Sequence, residues 1–158
     1  MIGSQNTSVK TTLGPLLNGV VNCEYWAPVP SMATPGVQAM LEVYQARAAE
    51  TGVDTLGHYM APLAYAQTQV VAQAVEATRG LDDRALMAYA RTATFQTVMG
   101  AVAFGSDGEW REARVLQVQF QGIVGHDARQ FKEGARQAVV SPQTMTSGAL
   151  IYPYALAI

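Results

Sequence analysis

Charge is scarce in this 158-residue chain, at 14% of residues, and neither sign prevails: ten Lys and Arg face twelve Asp and Glu, a net charge of -2. There is no basic block, which argues against nucleic acid as a partner. Cysteine occurs once, as Cys23, so no internal disulfide can form, and two histidines are too few to suggest a structural zinc site. No apolar run approaches the roughly 18 residues of a membrane span. The opening residues, Met1 to Ser8, show neither the charged n-region nor the apolar h-region of a secretory signal. As written, the chain is expected to stay in the cytoplasm. What is plentiful is apolar: 49% of residues are hydrophobic, enough for a core and too many for a disordered chain, in about one domain's length.

The local patterns read as mixed α/β. Thr7 to Leu17 reads as a short helix closing near Asn18-Gly19, and Gly19 to Trp26, rich in β-branched and aromatic residues, as a strand. Ala27 to Pro35 holds three of the seven prolines, which excludes an inner strand or a helix interior and predicts a rigid, extended crossing. Thr34 as N-cap and Pro35 at the first helical position open a helix over 35–51, with Val37, Met40, Leu41, Tyr44 and Ala48 on one face and Gly52 as its cap. Val53 to Tyr59 allows a short extended piece. Pro62 opens a second helix running to Arg79 and stopping at Gly80, so poor in charge that burial on more than one side is expected. Asp82 or Asp83 caps a third helix through Thr92. The period then changes to two: Val98 to Phe104 and Glu112 to Phe120 read as strands of a hairpin turning at Asp107-Gly108, with Leu116, Val118 and Phe120 on one face. Val139-Val140 is a short late strand, and Ser141 to Ile158 has no period.

Catalytic groupings are wanting. His58 and His126 stand in no metal-ligand spacing, and solvent or an ordinary hydrogen bond accounts for each. Cys23, in a strand, reads as a small buried hydrophobe. Asp82-Asp83 reads as a cap, Asp107-Gly108-Glu109 as a turn without the further ligands of a calcium loop, and there is no Gly-rich phosphate loop. Asn6-Thr7-Ser8 matches the glycosylation sequon, a pattern common by chance. These readings predict neither an enzyme, nor a metal, nor a cofactor. The aromatic pairs at element ends are more suggestive. Tyr25-Trp26 precedes the proline crossing and Tyr59-Met60 precedes the second helix, positions that either line a ligand cleft or pack in a core.

Four stretches carry a resemblance: Leu13 to Val21 leading to Glu24-Tyr25-Trp26; Tyr65-Ala66-Gln67 opening a long helix; Phe95 to Gly100; and Phe104 to Trp110 running into Val115 to Val118. In this order they resemble the C-terminal portion of the branched-chain amino acid (Leu/Ile/Val-type) substrate-binding proteins of ABC transporters, members of the type I periplasmic binding proteins. The resemblance implies a partial type I fold, pieces of two three-layer α/β lobes joined by hinge crossings. It places residues 1–26 and 119–158 in the C-terminal lobe and 27–118, with the crossings, in the N-terminal lobe. The hinge falls at Tyr25, Trp26, Ala27 and Pro28 and at Gln117 and Val118, and ligand contact at Tyr59 and Met60, with Ser4 and Gln5 near the rim.

The implied function is capture of an amino acid or small carboxylate and its delivery to an ABC permease in the inner membrane, without bond chemistry. Family members are periplasmic and more than twice as long. The βα units that supply most contacts to the solute's carboxylate and ammonium groups are not in this stretch. A C-terminal fragment that binds poorly alone is therefore expected, with uncovered apolar faces and open sheet edges that make it oligomeric or aggregation-prone. The competing reading is a self-associating structural or ligand-sensing regulatory module of the same fold.

Overall fold

A computed structural model describes residues 4–112, 114–132 and 134–157. Met1 to Gly3, Ala113 (within the strand expected over Glu112 to Phe120) and Ile158 of the tail lie outside the described residues. The chain is mixed α/β. Helix α1 (Thr7–Leu13) passes into a 3-10 turn over Gly14–Leu17, and β1 (Val21–Glu24) follows. The expected single helix over 7–17 breaks at Gly14, whose φ of 50° closes α1 ahead of Pro15. After the proline crossing come α2 (Val37–Thr51), α3 (Ala61–Thr78) and α4 (Asp83–Ala90). The strands β2 (Thr94–Thr97), β3 (Gly100–Ala103), β4 (Leu116–Phe120) and β5 (Gln137–Ser141) complete the order.

Helix ends follow local chemistry with two corrections. Asp82 caps α4 by accepting from the Ala85 N–H at 2.9 Å, and Gly52 closes α2 in the left-handed region. Thr34 and Pro35, however, do not open α2; Gly36 does, at φ 84°, because the Thr34 hydroxyl donates to the Val98 carbonyl instead. Helix α3 ends at Thr78, one residue short of Arg79, which is itself left-handed at φ 55°. Its burial is also narrower than its composition suggests: Ala66 and Ala74 are buried with Val70 half-buried, while Tyr65 and Val71 are exposed. Val53 to Tyr59 forms turns and bends with no strand.

The hairpin is the larger correction. Strand β2 pairs with β3 in antiparallel register, Thr97 opposite Gly100, around the two-residue turn Val98-Met99. The Thr97 hydroxyl donates to the Gly100 carbonyl at 2.8 Å and accepts from the Met99 N–H at 3.0 Å, and Gly100 takes φ 91°. Val98 and Met99 are fully buried, so this turn points into the core. The Asp107-Gly108 turn exists, but it joins only one bridge, Phe104 to Trp110. Strand β4 pairs elsewhere, in the three-stranded antiparallel sheet β1-β4-β5.

Strand β4 also links two cores. Leu116 and Val118 belong to a cluster with Trp26, Met32, Leu41 and Val98, whereas Phe120 belongs to one with Leu17, Leu56, Ile123 and Phe131. The Asn18 amide fastens the second cluster, donating to the Ile123 carbonyl at 3.1 Å and accepting from its N–H at 2.7 Å.

Candidate functional site

Strand β1 is built against its composition. Val21 is exposed and Cys23 half-buried, while the alternate residues Asn22 and Glu24 face inward and are buried. Cys23 is thus no buried hydrophobe; its thiol sits 3.5 Å from the Gln117 carbonyl oxygen across the sheet. Helix α1 repeats the inversion, burying Thr7 and Lys10 one turn apart. Lys10 is 0% exposed and Glu24 4%.

Asp54 ties α1 to the loop that carries His58 and Tyr59. Its carboxylate accepts from the Thr7 N–H at 2.6 Å, the Thr7 hydroxyl at 3.0 Å, the Gly57 N–H at 2.9 Å and the Leu56 N–H at 3.2 Å. Burial raises its pKa, but these hydrogen bonds together outweigh burial and hold it below the usual carboxylate value. Gly57 is needed here: at φ 68° an added Cβ would come within 2.5 Å of the Tyr44 ring. His58 follows, 2% exposed, its ring 5.3 Å from that of Trp26 and tilted by 55°. Its Nδ1 has no hydrogen-bond partner among the described residues. Burial and then the Lys10 charge push its pKa down to about 3, so His58 is neutral at physiological pH. His126, by contrast, is exposed and meets the Thr11 carbonyl at 2.8 Å.

The two aromatic pairs come together. Tyr25, Trp26, Tyr59 and Met60, with Glu24 and His58, line one crevice of about 10 Å³ between the end of β1 and the start of α3. That is room for a single water-sized group. Met60 is held at φ 66°, a left-handed conformation costly for a side chain of this size, and α3 begins directly after it. Trp26 and His58 also line a second cleft, of about 730 Å³, bounded by Pro28, Val37, Leu41 and Lys132. Ala27 and Val118 are fully buried in the first core cluster, and Gln117 meets Cys23 in the sheet.

Two polar atoms of crevice-lining residues, His58 Nδ1 and Trp26 Nε1, are buried with no hydrogen bond among the described residues. The same holds, away from the crevice lining, for Lys10 Nζ, Asn22 Oδ1, Ser4 Oγ and both side-chain amide atoms of Gln5. Lys10 Nζ lies 5.4 Å from the centre of the Phe131 ring. Burial lowers its pKa to about 8 against the pull of Glu24 and Asp54, and burial raises that of Glu24 to about 8 against the pull of Lys10. The two attract one another but form no ion pair; the ion pair among the described residues is Arg129 with Asp127, at the surface. Sequence reasoning missed Lys10, Asn22 and Glu24. The available signal was the strand alternation that sets Asn22 and Glu24 on one face. No group of three or more His, Cys, Asp or Glu suited to a metal occurs among the described residues.

The sequence matches the periplasmic binding protein family over residues 1–122. That is most of the chain, and the chain belongs to this family. Members are in general binding proteins rather than enzymes, so the family points to a solute-binding role and to the periplasm. The helices and small sheets are consistent with a partial fold of this kind. No curated protein matches the chain. No described helix is long and apolar enough to cross a membrane.

Proposed function

We propose that the chain is the C-terminal portion of the solute-binding component of an ABC importer for branched-chain amino acids or related small carboxylates, a fragment that binds poorly on its own. The whole protein captures a solute and delivers it to an inner-membrane permease, with no bond made or broken. In this reading residues 1–26 and 119–158 belong to one lobe and 27–118 to the other. The hinge lies at Tyr25 to Pro28 and at Gln117 and Val118, and Tyr59 and Met60 touch the solute. The observation that carries it is the crevice itself: aromatic and Met side chains converge with buried polar atoms that have no protein partner, the composition of a small-molecule site. The passage of β4 from one core cluster to the other supports its place at a hinge. A thermal-shift screen of leucine, isoleucine, valine and aromatic acids tests the proposal. Because the fragment binds poorly alone, one solute should raise the melting temperature only once its concentration exceeds a weak Kd; no response to any solute up to its solubility limit rejects contact at Tyr59 and Met60.

A second reading has its own observation. The chain exposes 9266 Å², whereas a folded monomer of 16.9 kDa exposes about 7,700 Å². An excess of about 1,600 Å² on one chain is roughly twice what a standard interface takes from each partner, and it favours a self-associating structural or ligand-sensing module of the same fold. Light scattering after size exclusion separates the two, since a concentration-dependent dimer indifferent to every solute favours the second.

A further inference from the structure

Resting on the self-associating reading, we infer that the groove between α2 and α3 is the docking surface for a second copy of this chain, and that two copies meet there about a two-fold axis. Both helices carry two apolar stripes. On α2, Val37, Leu41 and Ala48 are buried within the chain's own fold, whereas Ala39, Met40 and Val43 line the groove. On α3, Pro62, Ala66 and Ala74 are buried, whereas Ala61, Ala64 and Tyr65 line the groove. The second stripe recurs at helical spacing, so it is a continuous face of each helix. Helix α3 has no charged residue from Ala61 to Val75. That is the composition of a helix covered on more than one side, yet one chain alone leaves Tyr65 and Val71 exposed. A second copy supplies the missing cover on the Tyr65 side.

Shape, charge and area point to a copy of the same chain. The groove is a recess of about 680 Å³ lined partly by small residues, and its lining also includes Val43 and Tyr65, which are 58% and 47% exposed. One patch therefore offers both a hollow and large apolar side chains able to fill one. A two-fold interface needs that combination, because the same surface meets itself. No lining residue carries a charge. Close to a two-fold axis a charge faces its own copy, and like charges brought together cost several kcal/mol; this face has none to repel. The same neutrality argues against a lipid surface, which draws on Lys and Arg beside the apolar face. The area suffices as well. The chain's excess of about 1,600 Å² over a monomer of its mass exceeds the roughly 800 Å² that a standard interface removes from each partner.

Sedimentation equilibrium of the full chain tests this with wild type, Val43→Glu on α2, Tyr65→Glu on α3 and a control, Tyr152→Glu. Tyr152 is 85% exposed and lies in the tail, outside the groove. Wild type should form a dimer. Each groove variant should raise the dissociation constant at least tenfold while retaining the circular dichroism spectrum, and the control should stay within twofold of wild type. Hydrogen exchange on the wild type decides the matter even where a variant misfolds: peptides over 36–44 and 61–68 should exchange more slowly above the dissociation constant than below it. A dimer that both groove variants leave within twofold, or protection confined to other segments, overturns the inference while leaving self-association intact. Growth past the dimer into open polymers does the same, as does a control weakened as much as the groove variants. A wild type that stays monomeric at every concentration counts against the self-associating reading, and the inference falls with it.

Discussion

Lys10→Met should make the protein more stable at neutral pH, and the reason is the environment of the ammonium group. Lys10 is fully buried, Nζ makes no hydrogen bond among the described residues, and burial lowers its pKa from 10.5 to about 8. A drop of this size corresponds to roughly 3 kcal/mol of penalty for keeping the charge inside. Between about pH 8 and the unfolded value near 10.5 the unfolded chain holds more protons than the folded one, so folding stability rises with pH across that window. Below pH 8 the whole penalty applies. Methionine has nearly the same length and carries no charge. Against the gain stands the lost contact with the Phe131 ring, about 0.5–2 kcal/mol; the attraction to Glu24 and Asp54 is already contained in the net drop. The net expectation is on the order of 1–2 kcal/mol of added stability at pH 7, or a rise in melting temperature of roughly 2–8 °C for a chain of this length. Urea unfolding of both proteins at pH 7, 9 and 10.5 measures it. The gap between variant and wild type should be widest at pH 7 and shrink as Lys10 loses its proton. A variant less stable at pH 7, or a gap unchanged at pH 10.5, would show that the ammonium group is better solvated than its burial implies.

Two further perturbations probe the acid limb and the clamp. His58→Gln keeps a polar ring-sized group that cannot gain a proton. Because the folded pKa of His58 is near 3, the wild type should lose stability on the order of 4 kcal/mol as pH falls from 6.5 towards 3, and the variant should lack that component in acid-titration melts. Asp54→Ala removes an acceptor for four hydrogen bonds and should cost about 2–3 kcal/mol at pH 7. Since the Asp54 pKa is lowered in the folded state, its contribution is present above the ordinary carboxyl value and fades below about pH 4; the cost of the substitution should fade over the same range in denaturant melts.

The parts of this chain that follow local chemistry were legible in its sequence. Asp82 announces α4, Gly52 closes α2, and Val37, Leu41 and Ala48 mark the face that α2 buries. The hairpin was misplaced because Val98-Met99 has none of the residues that favour a turn. It turns where it does because tertiary packing buries both side chains and Thr97 satisfies the backbone. The crevice was half legible. Tyr25, Trp26, Tyr59 and Met60 stand out as aromatic and Met pairs at element ends, and the structure brings them to one place. Lys10 and Glu24 do not stand out, because a charged residue on a short helix or strand ordinarily faces water. Only the partners show otherwise: Cys23 and Gln117 occupy the outer side of the β1–β4 pair, which turns Asn22 and Glu24 inward.

The placement of weak and strong contacts bears on how such a site could open. On the proposed reading, a crevice of about 10 Å³ admits no amino acid as it stands, so capture would require the start of α3 to draw away from β1. The sheet cannot supply that motion: β4 is hydrogen-bonded on both edges and threads both core clusters. The loop over 53–59 is the less regular part: the Asp54 carboxylate ties it to α1, Leu56 anchors it in the second core cluster, and it ends at Met60, whose left-handed backbone is already strained. Opening there costs both the Asp54 hydrogen bonds and the burial of Leu56, so a solute can favour the open or the shut form only by the difference in its affinity for the two.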